Sequence, residues 1–248
     1  MSRVVTLVFA GAAYIVFFAT FLYLIGFVGD LPYLPVTVSH GPEAPPATAP
    51  ATAIVIDLAL VLLFALQHSV MARQGFKRWW MRLVPPQAER SVYVLASSLA
   101  LIALFALWRP VPALIWSTSG WLAVVLWALF AAGWGIVLLS TFLINHFELF
   151  GLQQAWFNMR NRAAAAPQFH QPLFYRMVRH PLYLGFFVSL WIGPEMSVGR
   201  LVLAGGLSVW MLIAIQFEER DLIDVFGDQY RQYRTRVGML VPRFGARG

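Results

Sequence analysis

Residues 4–28 contain no charged side chain, and as a helix those 25 residues run about 37 Å, enough to cross a bilayer with some tilt. The pattern recurs at 52–70, broken only by Asp57, then at 91–108, 120–144 and 201–217. A further run, 181–193, is short and leads into Gly193-Pro194. Charged residues make up 12% of the 248, about half the share in soluble domains, and the mean hydropathy is +0.69. So few polar side chains cannot coat a water-facing globule, which excludes a soluble enzyme, a disordered chain and a disulfide scaffold together. Cysteine is absent, so CxxC zinc sites, iron–sulfur clusters and cysteine nucleophiles are excluded as well. The 4–28 run is too long for a signal-peptide core and lacks a clear cleavage site, so it is expected to remain as a span.

The expected fold is all-α: a polytopic membrane helical bundle of five to six transmembrane helices. It ends in a helical hairpin, 181–193 with 201–217, and a cytoplasmic C-terminal amphipathic helix. One integral membrane domain covers 1–248, with four spans in 1–144 and the cytoplasmic segments plus hairpin in 145–248; no internal repeat is evident.

The formal charge of +7 raises the question of nucleic acid, and the positions of the basic residues answer it. With six crossings, sixteen of the eighteen Lys and Arg fall on one side, including Arg3, Arg73, Lys77, Arg78, Arg90, Arg160, Arg179, Arg220, Arg234 and Arg247. Only Arg109 and Arg200 fall on the other. That is the positive-inside pattern of a multi-pass inner-membrane protein with both termini cytoplasmic. The basic excess sets topology, and no nucleic-acid partner is expected. The extracytoplasmic stretch 29–51, with Pro32, Pro35, Pro42, Pro45, Pro46 and Pro50, reads as a stiff irregular loop without chemistry. Trp79 and Trp80 beside Lys77 and Arg78 suit the membrane interface, where lipid headgroups are the expected neighbours.

The remaining polar residues gather in three cytoplasmic segments. The densest is Tyr175-Arg176-Met177-Val178-Arg179-His180-Pro181-Leu182-Tyr183, with Gly185 a turn further on. Pro181 suits the first turn of a helix, whose free N–H groups, with Arg179 beside them, could hold a carboxylate or phosphate. Gly185 would let a ligand or another helix approach closely. The second segment is Gln216-Phe217-Glu218-Glu219-Arg220-Asp221-Leu222, continued by Phe226-Gly227-Asp228-Gln229-Tyr230-Arg231-Gln232-Tyr233. Its paired acids read either as a solvated flank or as carboxylates for ribose hydroxyls or a cation. The third runs from Asn145 to Gln154, where His146 and Gln153 could face a pocket. Leu149, Leu152, Trp156 and Met159 recur there at helical spacing, predicting an interfacial helix whose stripe contacts core or lipid. His68 is a weaker candidate for the same pocket, and for Asp57 snorkelling or a local hydrogen bond is favoured. His68, His146, His170 and His180 match no HExxH or HxxxH spacing, so no metal is expected.

The element Arg179-His180-Pro181-Leu182-Tyr183-Leu184-Gly185, the acids Glu218-Glu219 and the Phe226-Gly227…Tyr230…Tyr233 tail occur in the order found in the isoprenylcysteine carboxyl methyltransferase superfamily, which the last third of the chain resembles. Gln67-His68-Ser69-Val70-Met71-Ala72-Arg73, Glu89-Arg90-Ser91-Val92-Tyr93 and His146-Phe147-Glu148-Leu149-Phe150-Gly151-Leu152 extend the likeness to its NnrU-like branch. The resemblance implies methyl transfer from S-adenosyl-L-methionine, and in this branch a small volatile thiol as acceptor, methanethiol giving dimethyl sulfide. It further implies that His180, Pro181, Tyr183, Gly185, Gln153, Glu218, Glu219 and Tyr230 hold the methyl donor. Arg179, His146 and Tyr175 are the candidates to stabilise or create the thiolate that attacks. Two readings stand beside this one: a lipid or isoprenylated acceptor, and a membrane transporter. A transporter would prefer ionisable residues at the bilayer midplane, and here they concentrate at one edge.

Overall fold

A computed structural model describes residues 2–41, 48–162 and 168–243. Pro42, Pro45, Pro46 and Arg247 lie outside the described residues. The protein is an integral multi-pass membrane protein built of helices. Five are long and apolar enough to cross a membrane: α1 (Arg3–Val28), α2 (Pro50–Ala72), α4 (Pro86–Leu107), α5 (Gly120–Ile144) and α9 (Val198–Phe226). Shorter helices are α3 (Gln74–Trp80), α6 (His146–Leu149), α7 (Leu152–Met159), α8 (Pro181–Trp191) and α10 (Asp228–Arg236).

The boundaries follow local chemistry. Pro50, Pro86 and Pro181 each open a helix at its first turn, where a missing N–H costs nothing. Ser2 caps α1 by accepting from the Val5 N–H at 3.3 Å. Gly227 divides α9 from α10 at φ 56° and ψ −128°, a conformation that penalises any side chain. The span surfaces are apolar outward as well as inward: Ile15, Val55, Val124 and Val209 are 69%, 66%, 68% and 62% exposed, as lipid-facing positions require.

The chain forms two compact units interleaved along the sequence. The first comprises Met1–Thr118, His146–Ala165 and Glu195–Gly206; the second comprises Ser119–Asn145, Ala166–Pro194 and Leu207–Gly248. Packing, rather than chain order, sets this grouping. In the first unit α1 and α2 pack on α4, and α7 returns to lie on α1 and α4. In the second, α8 packs along α5 through glycines. A Cβ on Gly185 would stand 2.7 Å from the Gly133 carbonyl oxygen and 2.8 Å from the Val137 nitrogen.

Several details depart from the sequence expectations. Segment 146–161 packs along α1, a contact the sequence does not announce. His146 meets Tyr14, the Phe150 ring stacks on Phe17 at 3.9 Å, and Arg3 donates to the Asn161 side chain at 2.9 Å. Its close contacts are made by small residues, Gly151 against Ser91 and the fully buried Ala155, while Trp156 and Met159 of the apolar stripe are 48% and 38% exposed. The stripe is therefore divided, with Leu149 and Leu152 half-buried and Trp156 and Met159 facing outward. Between the spans, β1 (Leu114–Ser117) pairs antiparallel with β2 (Glu195–Ser197), a sheet that no alternation in the sequence announces. The described part of 29–51 is ordered by polar contacts. Asp30 accepts from Thr37, from the Ser39 N–H at 3.2 Å and from His40 at 2.7 Å, and Ser39 donates to Ser197 at 2.8 Å. Asp57 is fully buried and accepts from the Arg109 N–H at 2.8 Å, the local hydrogen bond expected of it.

Candidate functional site

The second unit concentrates the motif residues around one carboxylate. Glu219, on α9 and 3% exposed, receives Arg179 Nε at 2.7 Å and His180 Nε2 at 3.1 Å on Oε1, and Arg234 Nε at 3.0 Å on Oε2. Facing a carboxylate, His180 Nε2 carries the hydrogen and donates. Arg179 also donates from Nη1 to the Val237 carbonyl at 2.6 Å. Its Nε and Nη1 are thus engaged by protein, and it stands as an organising group. A buried ion pair is stable only when such extra hydrogen bonds complete it.

Backbone bonds fix the same corner. The Arg179 and His180 N–H groups donate to the Gly238 and Met239 carbonyls at 2.8 and 3.1 Å, so the chain after α10 lies along the approach to α8. His180 caps α8, Pro181 occupies its first turn fully buried, and Tyr183 meets the His180 ring edge-on with centroids 5.7 Å apart. Gly185 serves helix packing. Its bare face is filled by α5, so of the two roles open to it, close helix approach is the one it performs.

Tyrosines form the other wall. Tyr230 and Tyr233 on α10 are 2% and 3% exposed and pack with Phe169 and Phe226. Tyr233 donates to the Tyr175 carbonyl at 2.5 Å. The Tyr230 hydroxyl is buried and has no hydrogen-bond partner among the described residues. Burial, reinforced by the nearby Glu218 and Tyr233, pushes the Tyr175 phenol above its ordinary range. Tyr230 is raised in the same direction by burial, with Glu219 adding to it, and Tyr233 is pushed up to about 12 by burial. All three stay protonated at neutral pH, and of them Tyr233 is seen donating, to the Tyr175 carbonyl. Glu218 differs from its neighbour. It is half-buried, close enough to raise Tyr175 and Tyr230, and has no ion-pair partner among the described residues.

His146 and Gln153 belong to the first unit. His146 is 3% exposed, with Nε2 2.8 Å from the Tyr14 hydroxyl, and burial lowers its pKa. Gln153 is half-buried on α7. His68 is held between α2 and α4, its Nε2 2.7 Å from the Tyr93 hydroxyl and its Nδ1 3.2 Å from Ser97 Oγ. Sequence reasoning missed Arg234 and Tyr14. For Arg234 a signal exists, because it lies one turn after Tyr230 on the inward face of α10; for Tyr14, in a uniformly apolar span, there is none. No group of three His, Asp or Glu among the described residues is placed to hold a metal ion.

Comparison with known proteins agrees with this arrangement of motifs. The family model described as NnrU protein matches residues 57–242. A Mycobacterium tuberculosis protein named methanethiol S-methyltransferase is 51% identical, over 98% of each chain. Methanethiol S-methyltransferase 1 of Bradyrhizobium diazoefficiens is also 51% identical, over 93% of this chain and 80% of its own. Nurim of Bos taurus is a more distant relative, 29% identical over 68% of each chain. No solved structure matches. With three quarters of its length under the family model and half of its residues shared with near-full-length relatives, the chain belongs to the NnrU family.

Proposed function

We propose that this protein transfers the methyl group of S-adenosyl-L-methionine to methanethiol, forming dimethyl sulfide, within a bacterial inner membrane. The observation that carries the proposal is the 51% identity, over 98% of both chains, to a methanethiol S-methyltransferase. The cytoplasmic placement of both termini and the motif segments rests on the basic-residue distribution and requires the short α8 to count as a sixth crossing beside the five long helices. Lipid is the surrounding partner, and neither metal nor nucleic acid enters the reading.

The second unit has groups of the kinds the donor requires. Glu218 is a half-buried carboxylate with no ion-pair partner among the described residues, suited to ribose hydroxyls. Tyr183 and Tyr230 offer aromatic faces to a sulfonium. The buried Tyr230 hydroxyl lacks an acceptor among the described residues, as a group reserved for a ligand does. The first-turn N–H groups of α8 favour the donor's carboxylate. When bound, S-adenosylmethionine supplies an electrophilic methyl carbon on a sulfonium that leaves as a neutral thioether.

The protein's own contribution is to hold both reactants and to manage one proton. Glu219, fixed by Arg179, His180 and Arg234, sets the approach to α8 and the position of α10. Tyr175 remains a phenol and so donates a hydrogen bond to developing thiolate instead of removing its proton. In the first unit, His146, whose pKa burial lowers, is of the kind that accepts a thiol proton, and Gln153 is of the kind that adds an amide contact. The apolar acceptor partitions into lipid, which brings it to the protein from the membrane.

The test is to incubate the purified protein with S-adenosylmethionine and methanethiol, an isoprenylated cysteine analogue or a phospholipid amine in turn. Dimethyl sulfide in the headspace of the first reaction is expected. Methylated lipid without dimethyl sulfide would move the assignment to a lipid acceptor, and no product from any thiol would defeat it.

A further inference from the structure

The stretch 58–88 contains no Asp or Glu but carries Arg73, Lys77, Arg78 and Arg82, and the first acid after it is Glu89. These cations cover the end of α2, the whole of α3 and the turn into α4, all within the first unit. The helical backbone continues past Trp80. The Met81 N–H donates to the Lys77 carbonyl at 2.9 Å and the Val84 N–H to the Trp80 carbonyl at 3.0 Å. Arg78 and Arg82 therefore lie one turn apart on one face, the spacing at which like charges repel. Both are exposed, and neither guanidinium has a hydrogen bond or ion pair among the described residues. Other arginines are held by the protein: Arg179 and Arg234 by Glu219, Arg231 by Asp228, and Arg3 by Asn161. Beside the two unpaired cations, Trp79, Met81 and Leu83 present large apolar side chains outward. Ring contacts with Phe76 and Trp80, at 5.5 and 5.7 Å between centroids, hold Trp79 in place.

We propose that segment 78–83 is a binding site for an anionic phospholipid, with Arg78 and Arg82 on its headgroup and Trp79 and Leu83 among its upper acyl carbons. The occupant follows from what each alternative leaves unsatisfied. A soluble anion meets the guanidiniums but leaves Trp79 and Leu83 in water. Hydrocarbon covers the apolar side chains and strands two charges. A zwitterionic lipid carries its own cation beside the phosphate, so it brings no net charge to a segment that has no acid of its own. An anionic phospholipid answers all three demands. Guanidinium forks match phosphate oxygens, the indole settles at the boundary between headgroup and chain, and the repulsion between Arg78 and Arg82 is cancelled. Arg73, which donates from Nε to the Ser69 carbonyl at 3.4 Å, and the half-buried Lys77 add to the positive field, while selectivity falls to the two exposed arginines. The site lies in the first unit alone, and it stands whatever the methyl acceptor is.

The experiment is native mass spectrometry of the full chain in a neutral detergent, titrated with phosphatidylglycerol or phosphatidylcholine of matched acyl chains. It counts the lipids bound and gives their affinities. Each arginine beside an anionic headgroup accounts for roughly fivefold in affinity, so the wild type should prefer phosphatidylglycerol about 25-fold for the first lipid bound. Arg78→Gln should weaken phosphatidylglycerol about fivefold, and Arg78→Gln with Arg82→Gln should bring it level with phosphatidylcholine, whose own affinity stays fixed. Arg162→Gln removes an exposed cation of the same unit outside the segment and should change neither lipid. In thermal unfolding, the double variant should melt no lower than the wild type in neutral detergent, because these arginines hold no other residue. Added phosphatidylglycerol should then raise the wild-type midpoint and leave that of the double variant in place. Equal affinities of the wild type for the two lipids would overturn the proposal, as would a preference that survives in the double variant or an equal loss in Arg162→Gln. Displacement of the bound lipid by inorganic phosphate at the same concentration would make this a soluble-anion site instead. A double variant that melts early in neutral detergent would show that the arginines serve the fold, and the lipid assignment would fall.

Discussion

The two units hold their buried histidines by opposite means. In the second, His180 shares a carboxylate oxygen with Arg179, and Arg234 takes the other oxygen, so ionic groups meet at one place. In the first, His146 and His68 are each paired with a tyrosine hydroxyl, at 2.8 and 2.7 Å. The charged arrangement is stiff and directional, suited to fixing backbone segments far apart in sequence. The neutral arrangement leaves an imidazole uncharged, suited to exchanging a proton. On the proposed reading, structure-holding and proton-handling fall to different chemical settings.

The comparison is broken most severely at Glu219. Glu219→Gln keeps the shape but removes the charge that neutralises Arg179 and engages Arg234. Breaking a buried pair from one side costs about 3–5 kcal/mol, so the variant should lose most of its margin against unfolding. Thermal unfolding in detergent reads this directly; an unchanged midpoint would show the cluster is not a structural hub. At Gly185, a Cβ meets backbone atoms of Gly133 and Val137 on α5, so Gly185→Ala must push the two helices apart. Overpacking of that kind costs about 1–3 kcal/mol, read by the same melt.

Glu218→Gln sharpens the contrast from the other side. Its carboxylate supports no ion pair among the described residues, so the fold should tolerate the change to within about 0.5 kcal/mol. Donor affinity should instead drop about tenfold, the scale of a lost charge-assisted hydrogen bond, measured by equilibrium binding of S-adenosylmethionine. A destabilised Glu218→Gln that binds the donor normally would reverse the assignment of the two acids.

How much of this was legible in sequence follows from range. Spans were legible because exclusion from water acts on each residue alone: the apolar run 120–144 coincides with α5, and Pro181 with the start of α8. The cluster at Arg179, His180 and Glu219 was legible as residue types in motif order, but its internal bonding was not. Whether an arginine meets a ligand or a glutamate forty positions away is decided by tertiary packing, and the sequence favours neither. Likewise the Leu149, Leu152, Trp156, Met159 periodicity marks an apolar face without saying whether protein or lipid covers it. In water such a face must be buried; beside lipid that constraint disappears, which is why Ala155 rather than Trp156 turned inward. Tyr14 was invisible for the same reason, being one more aromatic in an apolar helix until α6 and α7 fold back along it.

The smallest expected effect tests the neutral half of the comparison in the wild-type protein. Burial lowers the His146 pKa, so the folded state favours the neutral ring. An ordinary histidine titrates near pH 6.5, and the unfolded chain takes up its proton there while the folded protein does not. Below that pH the unfolded state binds more protons, and stability falls as pH drops; above it the contribution of His146 is constant. The slope is at most about 1.4 kcal/mol per pH unit between the unfolded and folded values. Other groups titrate in the same interval, so the measurable quantity is the difference between wild type and His146→Gln. Unfolding midpoints in detergent should run parallel from pH 8 to about 6.5 and then diverge, with wild type falling more steeply toward pH 5. If the wild type instead gained stability relative to His146→Gln on acidification, His146 would hold its proton through an acidic partner, and the distinction between the two units would fail.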